Sequence, residues 1–137
     1  MTTTIQPYLN FDGQAEAAMK FYAEALGGKL EIITFGESPM PVEPEHKKRV
    51  MHSSLTTDTW KFMASDTMPG QPAKKAGNVS MSLSFTEANE QQRCWDRLAA
   101  GANITMPLGE QFFGKFGMLT DKFGVPWMLD LNKAPAK

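Results

Sequence analysis

Polar and apolar positions alternate along several stretches of this chain, and each such stretch predicts a β-strand. Residues 4–11 alternate first, ending at Phe11. The period then changes. Ala15, Ala18, Met19, Tyr22 and Leu26 fall on one face of a helix over residues 13–26. Asp12 stands where a capping side chain accepts backbone N–H groups. Gly27-Gly28 ends the helix, since glycine tolerates the left-handed C-terminal conformation. Residues 29–35 predict a second strand, and the prolines and charges of 36–48 predict a loop. Residues 49–57 and 59–65 predict a hairpin turning at Thr57-Asp58.

After a Pro-, Gly- and Lys-containing stretch over 66–78, the plan runs again. Val79, Met81, Leu83 and Phe85 alternate with Ser80, Ser82 and Ser84 in a strand. Residues 87–100 predict a helix with Trp95, Leu98 and Ala99 on its apolar side, ended by Gly101. Residues 104–108 predict a strand, and 112–120 pairs with 126–132 across the turn Asp121–Gly124. The repetition extends to single residues. Leu9 and Leu83, Phe11 and Phe85, Gly27 and Gly101, and Leu30 and Ile104 are each 74 positions apart, as 83 − 9 shows. Phe62-Met63 and Trp127-Met128 are 65 apart (128 − 63). A period of this kind marks repeated supersecondary units. The expected fold is therefore α+β, with two βαβββ modules over about 1–66 and 79–132, a linker over 67–78, and one domain spanning 1–137. Each module is expected to bury one sheet face under its helix, and the opposite faces to meet around a shared cavity.

Phe21-Tyr22 followed by Leu26-Gly27 resembles a helix signature of the glyoxalase/bleomycin-resistance, or vicinal oxygen chelate, superfamily. Asp121-Lys-Phe-Gly-Val-Pro-Trp127 is similar to that superfamily's late hairpin motif. Together with Tyr8-Leu-Asn-Phe-Asp-Gly13 and the run Gly114–Met128, it resembles the PhnB-like branch. The resemblance covers almost the whole chain. It implies the glyoxalase/bleomycin-resistance fold, a homodimer, and a cavity that in many members holds one divalent metal on His and Glu ligands.

Carried over by position, those ligands fall on four residues. Three before Leu9 is Gln6, and the same offset from Leu83 is Ser80. Four after Gly124 is Met128, which the repeat pairs with Met63. Thioethers, an amide and a hydroxyl do not suit hard cations, which want carboxylate and carbonyl oxygens. Nor do they suit zinc, which wants imidazole, thiolate or carboxylate. The expectation is thus no metal, no cofactor, and a small-molecule ligand held by Gln6, Tyr8, Met63, Asn78, Ser80 and Met128. The alternative is a glyoxalase- or dioxygenase-like lyase or oxidoreductase with a non-standard site. PhnB-like proteins are sometimes labelled demethylubiquinone methyltransferases. Here no Gly-rich loop follows a strand to cradle a nucleotide-like cofactor.

Composition narrows the remaining classes. The net charge of -1 offers no broad attraction to a phosphate backbone, so a nucleic-acid partner is not expected. No stretch reaches the ~20 apolar residues of a membrane span. The start Met1-Thr-Thr-Thr-Ile-Gln-Pro lacks a signal-peptide pattern, and the single cysteine, Cys94, precludes an internal disulfide. A cytoplasmic protein is expected. His52 and Asp130 are the candidate acid–base groups, His52 because an imidazole titrates near neutrality. A hydrogen-bonded strand histidine is the plainer reading of His52, which alternation places on one face with Val50 and Ser54. Cys94, mid-helix beside Trp95, reads as packing. Asp121 reads as a turn residue bonding the hairpin backbone. Phe112, Phe113 and Phe116 read as core or cavity wall.

Overall fold

The computed structural model describes residues 4–39, 41–73 and 78–131. Part of the expected linker (74–77) and the end of the last expected strand (132) lie outside the described residues. Two compact units divide the chain at Lys74 and Lys75.

The first unit runs β1 (Tyr8–Phe11), α1 (Ala15–Leu26), β2 (Lys29–Thr34), β3 (Val50–Thr56) and β4 (Lys61–Asp66). Its sheet has the order β1-β4-β3-β2. The first and last strands of the unit are parallel neighbours, and the other pairs are antiparallel. The second unit repeats this with β5 (Met81–Phe85), α2 (Ala88–Leu98), β6 (Asn103–Gln111), β7 (Gly114–Thr120) and β8 (Pro126–Leu131), in the order β5-β8-β7-β6. This is the βαβββ duplication that the sequence predicts.

One face of each sheet takes the helix. In the first unit Ala15, Ala18, Met19, Tyr22 and Ala25 of α1 are buried, with Phe11, Leu55, Phe62 and Ala64 on the strands. In the second, Cys94, Trp95 and Leu98 of α2 are buried with Leu119, Trp127 and Leu129. The α2 side chain Gln91 is fully buried too. Its amide donates to the carbonyls of Lys115 and Leu129 at 2.9 and 3.4 Å, tying the helix to β7 and β8. Among the described residues no helix is long and apolar enough to cross a membrane.

Several local expectations are corrected. The first strand starts at Tyr8, because Pro7 has no N–H to give a ladder. Likewise β5 starts at Met81, and Val79 is exposed. Asp12 does not cap α1. It pairs with Arg49 at 2.9 Å. The acceptor at the helix start is instead Asp66, from the far end of β4. Its Oδ1 receives the N–H groups of Gly13 and Ala15 at 2.7 and 3.0 Å, and its Oδ2 that of Val50 at 2.8 Å. Val50 and His52 do not share a face. The register slips beside them, where Ile33 pairs with His52 but Thr34 with Val50, so Val50 turns into the core. Phe112 and Phe113 sit exposed at the tip between β6 and β7 and are not core.

The late turn behaves as the sequence predicts. Asp121 Oδ1 accepts the N–H groups of Phe123 and Val125, and Oδ2 accepts the Trp127 indole N–H at 2.8 Å. Gly124 adopts φ +90°, a conformation costly for a residue with a Cβ.

Candidate functional site

Each sheet has a second face, turned away from its helix. Strand pairing fixes which side chains share it. In the first unit Tyr8 lies beside Met63, Met63 beside Ser54, and Ser54 beside Glu31. Asn10 pairs with Ser65, Ile33 with His52, and Lys61 with Thr56, which in turn pairs with Lys29. Tyr8 reaches across β4 to β3. Its hydroxyl lies 3.2 Å from Nδ1 of His52, with the two ring centroids 5.8 Å apart. Thus His52 is a half-buried, hydrogen-bonded strand histidine with a defined partner.

In the second unit the corresponding face carries Ser82 beside Met128, Met128 beside Met118, Ser84 beside Asp130, and Asp130 beside Phe116. The Ser84 hydroxyl donates to Asp130 Oδ1 at 2.8 Å. Asp130 is the one charged side chain among these.

Three of the expected ligand-binding residues fall outside the strands. Gln6 precedes β1 and is half-buried; Asn78 and Ser80 precede β5 and are exposed. Met63 and Met128, by contrast, sit in mid-strand on the helix-free faces, each half-buried. Within the first unit the structure brings together Tyr8, Met63 and His52. Within the second it sets Met128 next to Ser82, and Asp130 next to Ser84. Ser54, Ser82 and Met118 are neighbours that residue-by-residue transfer misses. The signal for Ser82 is the repeat itself, since Ser82 stands 74 positions after Tyr8 (82 − 8).

The donor chemistry of Gln6, Met63, Ser80 and Met128 does not fit the superfamily's metal, for want of charge and basicity. No group of three or more His, Cys, Asp or Glu gathers among the described residues.

Cys94 lies outside both faces, buried under α2. Burial raises its pKa from 9.0 to about 12, against the opposing pull of Arg93 and Arg97. A thiol so held is a poor nucleophile, because the thiolate is the reactive form. Iodoacetamide is expected to leave the native chain unlabelled at neutral pH and to label it in urea; fast native labelling would place the thiol at the surface. The sign of the linked stability also follows. Above about pH 9 the unfolded chain releases this proton while the native one keeps it. The contribution is whole below that pH and declines as pH rises toward about 12.

Two mixed four-stranded sheets, each with one helix and with its first and last strands adjacent, make this an α+β protein of the glyoxalase/bleomycin-resistance fold. A glyoxylase/bleomycin resistance protein/dioxygenase domain from Frankia sp. EAN1pec superposes with a TM-score of 0.70 over 99% of this chain and 96% of that one, at 15% identity. That likeness is one of fold alone. The chain belongs to the PhnB-like family whose model is described as 3-demethylubiquinone-9 3-methyltransferase, which matches residues 3–129. It is 38% identical to protein PA1353 from Pseudomonas aeruginosa, with a TM-score of 0.89 over 97% of this chain and all of that one (100%). It is 30% identical to a putative 3-demethylubiquinone-9 3-methyltransferase, PhnB protein, from Bacillus cereus, with a TM-score of 0.76 over 94% of this chain and 99% of that one.

Proposed function

We propose that this chain is a small-molecule-binding protein that works without the superfamily metal, with ligand contacts on the helix-free faces of its two sheets. Gln6, Tyr8, Met63, Asn78, Ser80 and Met128 contribute to them. The observation that carries this reading is the make-up of those faces. Paired polar anchors, Tyr8 with His52 and Ser84 with Asp130, stand among methionines in mid-strand. Ligand sites are built this way, from apolar surface with a few placed polar groups. Thioether side chains adapt their shape to what they enclose. A cytoplasmic homodimer completes the reading, the dimer resting on family resemblance.

A second reading is an acid–base enzyme, and the Tyr8–His52 hydrogen bond favours it. A general base needs a partner that holds its ring, and Tyr8 holds Nδ1. On that reading His52 or Asp130 moves the proton.

A thermal-shift screen over small metabolites tests the first reading. A ligand at 100 times its dissociation constant adds about 2.7 kcal/mol to apparent stability. Met128→Trp and Met63→Trp fill the two faces without adding charge, and each is expected to remove the shift of the ligand its face holds. Native mass spectrometry of the same protein is expected to show no stoichiometric Zn, Ni, Mn or Fe. A chelatable ion at about one per chain, or hits that ignore both tryptophans, overturns the proposal.

A further inference from the structure

The two helix-free faces differ in charge. In the second unit Asp130 is the charged group beside Ser82, Ser84, Phe116, Met118 and Met128, and it makes that face negative. In the first unit the face carries Lys29, Lys61 and Glu31. Lys29 lies 3.3 Å from Glu31 and offsets it. Lys61 is then a positive charge in excess, before His52 is counted. An anion is attracted to the first face and repelled by the second.

The Tyr8–His52 pair supplies the local donor. The phenol engages Nδ1, which leaves Nε2 as the ring nitrogen open to a ligand. When the phenol donates to Nδ1, the neutral ring must carry its hydrogen on Nε2. When the ring is protonated, Nδ1–H donates to the phenol oxygen, and the phenol O–H is released to donate outward beside Nε2–H. An oxyanion selects these two states, because each presents a donor at Nε2. Hydrogen bonds to an ionised acceptor are about twice as strong as neutral ones. Beside the pair, Met63 adjoins Tyr8, and Ile33, 43% exposed, pairs with His52. They offer apolar surface to the carbon body of the same ligand.

We propose that the first unit's helix-free face receives the carboxylate of a small organic acid at His52 Nε2, with Tyr8 fixing the imidazole and Met63 and Ile33 covering the acid's apolar part. This rests on the ligand-binding reading above and names the chemistry of its ligand.

Benzoate is the probe, with benzamide as its neutral counterpart of the same shape. In protein carrying ¹³C-labelled histidine and methionine methyl groups, benzoate is expected to move the His52 Cε1–Hε1 and Met63 signals. His46, in its charged loop, serves as the internal control and stays put. Benzamide is expected to leave all of them in place. His52→Gln is expected to weaken benzoate binding by about tenfold or more. Tyr8→Phe, which frees the ring, is expected to weaken it by a smaller factor. Glu90→Gln, on the exposed side of α2, is expected to leave it unchanged. All three positions are at least partly exposed, so unchanged melting temperatures will show that the variants fold. If benzamide binds as well as benzoate, or benzoate moves Met128 and not His52, the oxyanion assignment is wrong while the ligand-binding reading stands. If neither probe nor any compound of the thermal screen perturbs either face, both fail.

Discussion

Asp66→Ala is expected to lower stability by about 3–5 kcal/mol, the largest loss for any single carboxylate in the first unit. The carboxylate is buried and accepts three backbone N–H groups: Gly13 and Ala15 on Oδ1, Val50 on Oδ2. Alanine leaves all three without an acceptor, two of them in buried surroundings. An unmade buried hydrogen bond costs the desolvation of the orphaned group, about 1–3 kcal/mol each. Asp66→Asn should recover only part of the loss, since an amide has one acceptor oxygen and the two sides of Asp66 are both in use. Asp12→Ala removes a half-exposed ion pair with Arg49 and should cost under about 1 kcal/mol. Urea unfolding monitored by circular dichroism ranks the three. Equal midpoints for Asp66→Ala and Asp12→Ala would return the capping role to Asp12.

Gly117→Val is expected to destabilise the second unit by about 2–3 kcal/mol through overpacking. Gly117 lies in β7 on the face that takes α2, where the Trp95 ring covers it. A Cβ there would meet Trp95 Cζ3 at 2.7 Å and the Leu108 Cα at 2.9 Å. Both neighbours resist. Trp95 is buried, and the other contact is backbone. Gly109→Ala is the matched control, since its Cβ would meet nothing nearer than the Pro107 carbonyl at 3.9 Å. A Trp95→Leu background should relieve the Gly117→Val loss, because the ring is the main obstacle. A Gly117→Val chain that unfolds at the parent's midpoint would show that the ring moves freely.

Both cases mark where the sequence stopped being readable. The glycine of the late turn was legible because a tight connection between strands demands a positive φ, and Gly124 stands at the required place. Gly117 was not legible. Its need for a missing side chain comes from Trp95, 22 positions earlier (117 − 95), and no local pattern joins the two. Asp121 was legible as a turn residue because its backbone partners lie two and four positions ahead. Asp66 was not, because its partners lie 53, 51 and 16 positions earlier and are brought to it by tertiary structure.

The candidate site divides in the same way. Met63 and Met128 were found through the repeat and the family pattern, and both stand in mid-strand on the helix-free faces. Gln6 and Ser80 came from the same transfer, yet both precede their strands, since pairing begins later than alternation suggests. The phase of His52 was readable relative to Ser54 but not to Val50. A one-residue slip beside His52 reverses every side chain beyond it.

By itself, then, the amino-acid order determined the two βαβββ units, the helix faces and the late turn. These follow from local periodicity, from glycine stereochemistry and from one copy confirming the other. Only the tertiary structure decided that Asp66 holds the start of α1, that Trp95 requires Gly117, and that the Tyr8 phenol crosses β4 to His52. Each of these joins residues on different strands or on a strand and a helix, and their meeting depends on strand order and register. Tyr8 and His52 are 44 positions apart in the chain and 3.2 Å apart in the fold, because β4 enters the sheet between their strands.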